Sequence, residues 1–166
     1  MKKATRNLFF ILSLVLFTAS VSFSQSIESK IRDFARNEYP TDSEMQEYIY
    51  KQQISAYRYM QTVTDTDVKQ IAEREYPSDY SMQQYTYNNQ LASKNYMKTV
   101  TDSEVKQIAY REYPSDYSMQ KYTYDNQLSA KNYMKSVTNS SARAQAQREY
   151  PNDYTMQKYT YDKLAY

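Results

Sequence analysis

A 37-residue repeat runs through the chain and constrains its fold more than any other feature. All four prolines follow a tyrosine, and each lies 37 residues after the one before it. They are Pro40, Pro77, Pro114 and Pro151. The segment EYPSDYSMQ at 75–83 recurs unchanged at 112–120, and close variants occupy 38–46 and 149–157. A fixed period of this length is typical of stacked repeat proteins, in which each unit packs on its neighbours.

Each period contains two helical patterns, separated by the Tyr-Pro step. Proline lacks an N–H and disfavours the helical conformation in the residue before it, so this step ends one helix. The residue after each proline is a good N-cap for the next helix, and an aspartate follows at the positive end of its dipole. The expected N-caps are Thr41, Ser78, Ser115 and Asn152. For the shorter helix, Thr101 and Glu104 fit a capping box.

The spacing of apolar residues predicts which faces of these helices are buried. On the longer helix a stripe with three- and four-residue spacing is expected to face the core. In the second copy this stripe comprises Met82, Tyr85, Asn89, Ala92, Tyr96 and Val100, with equivalents in the neighbouring copies. On the shorter helix the corresponding apolar residues are Val105, Ile108 and Ala109.

The sequence therefore predicts an all-α fold of tandem helical hairpins, each with a short helix, a Tyr-Pro turn and a long helix. The hairpins could stack as a small α-solenoid or as a compact helical array. The expected units span about 26–61, 64–98, 101–135 and 138–166, within a single domain at 25–166. This architecture resembles tetratricopeptide-like and Sel1-like repeats. Those families place small residues, usually Gly and Ala, at helix crossings, and this chain has no glycine.

The first 24 residues have the pattern of a cleaved secretory signal peptide. Lys2, Lys3 and Arg6 precede an apolar stretch, and Ser22 and Ser24 suit a cut before Gln25. Cleavage predicts a periplasmic or extracellular protein with no membrane span in the mature chain. It also leaves 18 basic and 19 acidic residues. Nucleic-acid binding is not expected, because it needs an excess of clustered Lys and Arg.

The composition argues against catalysis and against a bound cofactor or metal. The chain has no His and no Cys, so the usual general bases, thiol nucleophiles and zinc ligands are missing. Without glycine, a glycine-rich phosphate loop cannot form. The repeated aspartates are explained by helix initiation, and an active site is normally single. We therefore expect no enzyme activity, no cofactor and no metal site.

One polar stripe on the longer helix is a candidate binding face. Its members lie on one side of the helix, and most are retained in the diverged first copy. They are Asp42, Gln46, Tyr50 and Gln53; Asp79, Gln83, Tyr87, Gln90 and Lys94; and Asp116, Gln120, Tyr124, Gln127 and Lys131. Two interpretations stay open at this point. The stripe could form a hydrogen-bond ladder between adjacent helices, or a repeated surface for a partner.

The functional hypothesis that follows is a non-catalytic, exported module that binds another protein or a peptide. Repeat proteins present extended surfaces suited to this role. The alternative is that the repeated Tyr/Gln face binds an envelope glycan or peptidoglycan, because tyrosine and amide side chains stack on and hydrogen-bond to polar partners. Burial of Asp79, Gln83 and Gln90 between helices would count against the second hypothesis.

Overall fold

A computed structural model describes residues 27–165, which form eight α-helices and no strand. Short and long helices alternate, so the predicted all-α fold of short–long hairpins is confirmed. The predicted signal peptide lies outside the described residues. The helices are α1 (27–38), α2 (Ser43–Thr62), α3 (Thr66–Glu75), α4 (Tyr80–Thr99), α5 (Ser103–Glu112), α6 (Tyr117–Ser136), α7 (Ser140–Glu149) and α8 (Tyr154–Leu164).

The helix boundaries follow the period of the sequence. Long helices begin at Ser43, Tyr80, Tyr117 and Tyr154, and three short helices begin at Thr66, Ser103 and Ser140. Successive starts in both series are 37 residues apart. Each hairpin lies within a few residues of a unit expected from the sequence.

The described residues divide into two compact units. One comprises 27–64 and 73–84, and the other comprises 65–72 and 85–165. A single domain over the mature chain stays a prediction. In the second unit, α6 packs against α5 and α8, and α8 packs against α7. Neighbouring helices therefore form a regular stacked array in this unit, as expected for helical-hairpin repeats.

The backbone explains how the chain manages without glycine. No residue from 27 to 165 has a positive φ, so none needs the left-handed conformation that glycine provides. The long helices α2 and α6 end instead at Val63 and Val137, which are extended. The short helix α5 ends at Tyr113, whose N–H still donates to the Ala109 carbonyl at 3.0 Å.

The Tyr-Pro turn places the N-cap of each long helix one residue later than predicted. The Asp42 N–H donates to the Tyr39 carbonyl at 3.4 Å, which closes a β-turn with Pro40 and Thr41 in its centre. The Asp42 Oδ1 then accepts from the Glu44 and Met45 N–H groups at 3.1 and 3.0 Å. The aspartates Asp79, Asp116 and Asp153 cap their helices through the same bond.

The expected caps Thr41, Ser78, Ser115 and Asn152 are therefore wrong, because these residues occupy the turn. The predicted capping box at Thr101 and Glu104 is also wrong, since the N-cap of α5 is Asp102. A carboxylate at the N-cap accepts a charge-assisted hydrogen bond and interacts with the helix dipole, which a hydroxyl cannot match.

The cap assignment predicts different effects for two adjacent substitutions. Asp116→Ala should lower the free energy of unfolding by about 1–2 kcal/mol, because the N-terminal N–H groups of α6 lose their acceptor. Ser115→Ala should change it by less than about 0.5 kcal/mol, since Ser115 is an exposed turn residue. Urea denaturation followed by circular dichroism measures both. Equal losses for the two variants would contradict the assignment.

The buried face of the long helices is not the predicted one. In α4 the side chains of Gln83, Tyr87, Gln90 and Met97 are buried, whereas Tyr85 is 63% exposed. The predicted core residues Asn89 and Ala92 are exposed too, while Met82, Tyr96 and Val100 are half-buried. The predicted core stripe is therefore wrong for its most central members, and the polar stripe is the buried one.

The apolar core recurs with the repeat. In the second unit Met97, Val105, Ala109 and Tyr124 form one cluster. A second cluster lies 37 residues further on and consists of Met134, Ala142, Ala146 and Tyr161. The prediction for the short helix is confirmed, because Val105, Ile108 and Ala109 are all buried.

Candidate functional site

The first glutamine of the polar stripe stabilises the Tyr-Pro turn of its own repeat. In the second copy, the Gln83 Nε2 donates to the Tyr76 carbonyl at 2.6 Å. This carbonyl lies at the end of α3, directly before Pro77, where no further helical N–H reaches it. The same bond joins Gln46 to Tyr39, Gln120 to Tyr113 and Gln157 to Tyr150. The motif EYPSDYSMQ thus contains the residues that form the junction between a short helix and the following long helix.

The second glutamine of the stripe joins one repeat to the next. The Gln53 Nε2 donates to the Asp79 Oδ1 at 2.7 Å, and its Oε1 accepts from the Tyr80 N–H at 2.7 Å. A single amide therefore donates to the N-cap carboxylate of the following long helix and accepts from one of its free N–H groups. Gln90 makes the same link to Asp116 and Ser118, and Gln127 makes it to Asp153 and Tyr154.

The tyrosine and lysine of the stripe hold the start of the short helix in the same repeat. The Tyr124 hydroxyl accepts from the Asp102 N–H at 3.2 Å. The Lys131 Nζ lies 3.0 and 2.9 Å from the two Asp102 carboxylate oxygens and 2.8 Å from Glu104 Oε2. Tyr87 and Lys94 make the equivalent contacts to Asp65, and Lys94 also reaches Asp67.

These contacts keep the charged groups ionised. Burial alone would raise the pKa of Asp102, but the Lys131 ammonium and the Val105 N–H outweigh it and hold that pKa below its usual value. Burial would likewise lower the pKa of Lys131, yet the carboxylates of Glu104 and Asp102 raise it. Neither group is therefore poised to exchange a proton near neutral pH.

In the first copy, different contacts occupy two positions of the stripe. The Arg32 guanidinium lies 3.9 Å from the centre of the Tyr50 ring. Tyr57 replaces the lysine, and its ring meets that of Tyr80 edge-on at 5.1 Å. Asp42, the first N-cap, is exposed.

The polar stripe thus consists of helix caps and links between helices. Gln53, Gln83, Gln90, Gln120 and Gln127 are at most 4% exposed, while Asp79 is half-buried. Side chains this deeply buried cannot reach a partner in this structure. The ladder interpretation accounts for the contacts, whereas binding through these residues stays a prediction that no contact supports.

A second polar network links neighbouring long helices on their other side. The Tyr96 hydroxyl donates to the Asp125 Oδ1 at 2.5 Å, and Lys121 pairs with the same carboxylate at 2.7 Å. This hydrogen bond, together with burial, raises the pKa of Tyr96 to about 12. Tyr133, Asp162 and Lys158 repeat the arrangement one period later.

Exposed tyrosines mark a different surface, although the predicted core stripe includes Tyr85 and its equivalents Tyr48 and Tyr122. Tyr48, Tyr85, Tyr122 and Tyr159 occupy equivalent positions on α2, α4, α6 and α8, and each is more than half exposed. The signal was present in the sequence, because this tyrosine is retained in all four copies, including the diverged first one. Retention alone does not distinguish a surface from a core, because tyrosine suits both.

An open groove lies beside this tyrosine in each unit. In the second unit the groove is about 540 Å³ and lies between α6 and α8. Tyr122, Asn126 and Ser129 line it from α6, and Thr155 and Lys158 line it from α8. In the first unit a groove of about 600 Å³ is lined by the equivalent residues two periods earlier, namely Tyr48, Gln52, Ser55, Ser81 and Gln84.

Some of the groups that line the groove of the second unit are already paired within the protein, and others are free to contact a partner. Lys158 pairs with Asp162 at 2.6 Å, so its charge is already neutralised within the protein. The Tyr122 and Asn126 side chains make no hydrogen bond or ring contact with any described residue. The groove therefore offers an aromatic face and a free amide, and the exposed Glu112 of α5 also lines it.

Two further features concern residues 27–165. No group of three or more acidic side chains is placed to hold a metal ion. None of the helices in this part of the chain is long and apolar enough to cross a membrane.

Comparison with known proteins gives no functional assignment. The chain matches no protein-family model, no curated protein and no solved structure. The resemblance to tetratricopeptide-like and Sel1-like repeats accordingly concerns the architecture alone.

Proposed function

We propose that this chain is an exported, non-catalytic module that binds another protein through its exposed tyrosines. The observation that carries the proposal is the groove beside Tyr122, whose counterpart beside Tyr48 is lined from the equivalent positions. Exposed aromatic side chains are enriched at protein interfaces because a ring buries a large area at little cost in conformational entropy. Export rests on the pattern of residues 1–24.

The state of the carboxylates supports the non-catalytic part of the proposal. Carboxylates that act as general acids need a raised pKa. Every shifted carboxylate from 27 to 165 has a lowered pKa, and in each case a donor or cation within the repeat is the cause. Asp65 and Asp102 are thereby explained as helix caps.

The binding surface is tested by removing tyrosine rings from the second unit. Residues 25–166 carrying Tyr85→Ala, Tyr122→Ala and Tyr159→Ala should fold normally, because alanine favours exposed helical positions. The immobilised variant should capture at least tenfold less of any envelope protein that the unmodified chain retains. Quantitative mass spectrometry of the eluates measures the loss, and binding is then repeated with the purified partner.

The matched control is Tyr110→Ala, which removes an exposed tyrosine from the short helix α5. This variant should retain its partner in full. If the triple variant folds and captures the same proteins in the same amounts, the proposal fails. Retention of cell-wall sugar without protein would favour the glycan alternative instead.

A further inference from the structure

The exposed tyrosines of the second unit form a row across consecutive long helices. We call Tyr85, Tyr122 and Tyr159 the tyrosine row. Gln90 and Tyr96 of α4 bond to Asp116 and Asp125 of α6, and α6 packs directly on α8. The three helices are therefore consecutive neighbours, and each presents its tyrosine at the same position of the repeat.

We propose that the tyrosine row binds a polypeptide segment in the polyproline II conformation, with one turn of the ligand at each long helix. This inference rests on the proposed function and names the chemistry of its partner. It follows from two independent properties of the row, its spacing and the hydrogen-bonding groups beside it.

The spacing expected for the row is close to the pitch of this ligand. Packed helices lie about 8–10 Å apart, so we expect successive tyrosines of the row to be separated by a similar distance. A polyproline II helix has three residues per turn and rises about 3.1 Å per residue, so the same side of it recurs every ~9 Å. A β-strand fits less well, because its side chains alternate between two faces, and the residue three places on points away.

The groups beside the row suit a ligand whose free polar groups are carbonyls. Asn126 follows Tyr122 by one helical turn in the groove, and Asn89 is exposed at the equivalent position of α4. At that position α8 carries Lys163, whose ammonium lies 4.3 Å from the centre of the Tyr159 ring. Each tyrosine is thus accompanied by a side-chain N–H donor. Polyproline II carbonyls have no internal partner, and proline has no N–H that would require an acceptor.

Two of the three cations next to the row are already paired within the protein, which favours an uncharged ligand. Lys121 pairs with Asp125, and Lys158 pairs with Asp162, whereas Lys163 lies against the Tyr159 ring. Aromatic side chains that line a groove are the usual docking surface for proline rings.

The test uses fluorescein-labelled nonaproline, which has three turns and spans all three tyrosines of the row. Fluorescence anisotropy with residues 25–166 should show saturable binding. A glycine–serine peptide of equal length should not bind. Tyr122→Ala, which removes the central ring, should weaken the binding of nonaproline at least tenfold, whereas Tyr110→Ala should leave it within twofold. Hexaproline should bind at least threefold more weakly than nonaproline, because it reaches one tyrosine fewer.

Two results would overturn the inference. One is the absence of saturable nonaproline binding by folded protein. The other is binding that neither Tyr122→Ala nor shortening of the peptide weakens. If nonaproline fails while the row variant still loses a captured envelope protein, only the polyproline II inference falls. Saturable binding of solubilised peptidoglycan fragments in place of nonaproline would also count against it.

Discussion

Replacing Gln90 with methionine is expected to lower the free energy of unfolding by about 2–3 kcal/mol, the cost of leaving buried polar groups without partners. The Gln90 Nε2 donates to the Asp116 carboxylate at 2.9 Å, and its Oε1 accepts from the Ser118 N–H at 3.2 Å. Methionine has a similar volume and fills the same space, so the loss reports the missing hydrogen bonds rather than a cavity.

The matched control for this substitution is Gln120→Met. Gln120 is a buried glutamine on the next long helix, but its amide is only half satisfied. Its Nε2 donates to the Tyr113 carbonyl at 2.6 Å, whereas its Oε1 is buried without a partner among the described residues. Methionine loses that one bond and also removes the unpaired oxygen, so the cost should be about 1 kcal/mol or less. Urea denaturation of both variants measures the difference. Equal losses would contradict the role given to Gln90.

Local sequence signals were sufficient to predict the helical hairpins. Proline after tyrosine stops a helix whatever the tertiary structure is, because the effect is steric and covalent. The short helices were also predicted correctly, since Val105 and Ile108 have no polar atoms and are stable only when buried. Their spacing therefore identified the buried face without further information.

The buried face of the long helices could not be identified in this way. Hydrophobicity places tyrosine above glutamine, and the prediction accordingly put Tyr85 in the core stripe while leaving open whether Gln83 and Gln90 lie between helices or face a partner. The structure reverses this order because helix ends buried in the array need donors and acceptors for their free backbone groups. A glutamine amide supplies both. The helix ends need these hydrogen-bond partners only when one repeat packs on another, so the sequence of a single helix does not predict which side chains are buried.

The groove beside the exposed tyrosines could not be predicted from the sequence for a similar reason. Its width depends on the distance between neighbouring long helices, which the packing of both repeats determines. Retention of Tyr48, Tyr85, Tyr122 and Tyr159 in every copy was visible, but the same retention is expected of a core residue. The exposed fraction of the tyrosine side chains distinguishes a surface role from a core role, and the repeat pattern in the sequence does not give that fraction.

Replacing Lys131 with methionine is expected to lower the free energy of unfolding by about 2 kcal/mol at neutral pH, between the values typical of exposed and of buried ion pairs. The side chains of Lys131 and Asp102 are 15% and 21% exposed, so the pair is only partly shielded from water. Without the ammonium, the Asp102 carboxylate keeps its backbone hydrogen bond to Val105 but loses its countercharge.

The effect should depend on pH in a defined direction. The pKa of Asp102 is lower in the folded protein than in the unfolded chain, where it is about 3.9. The stabilisation by Lys131 is therefore complete above that unfolded value and is lost as the pH falls through the folded pKa. The difference in stability between the two proteins should shrink in acid.

The matched control for the charge is Lys135→Met. Lys135 lies one helical turn after Lys131 on α6, and its side chain is exposed. Its ammonium attracts the Asp102 carboxylate without a hydrogen bond to it, and this attraction is the weakest of the influences that lower the pKa of Asp102. The substitution removes the same charge and should cost less than about 0.5 kcal/mol. A loss as large as that of Lys131→Met would show that the direct ion pair is not what stabilises the repeat.

A second substitution separates the ion pair from packing by the lysine side chain. In the last repeat Asn139 occupies the position of Asp102 and caps its helix through the same bond, to the Ala142 N–H at 3.1 Å. Adding Asp102→Asn to Lys131→Met removes the unpaired charge and keeps the cap. The double variant should recover at least half of the lost stability and should lose the acid dependence. If the double variant is no more stable than Lys131→Met alone, Lys131 stabilises the repeat through the packing of its aliphatic chain and not by neutralising the charge of Asp102.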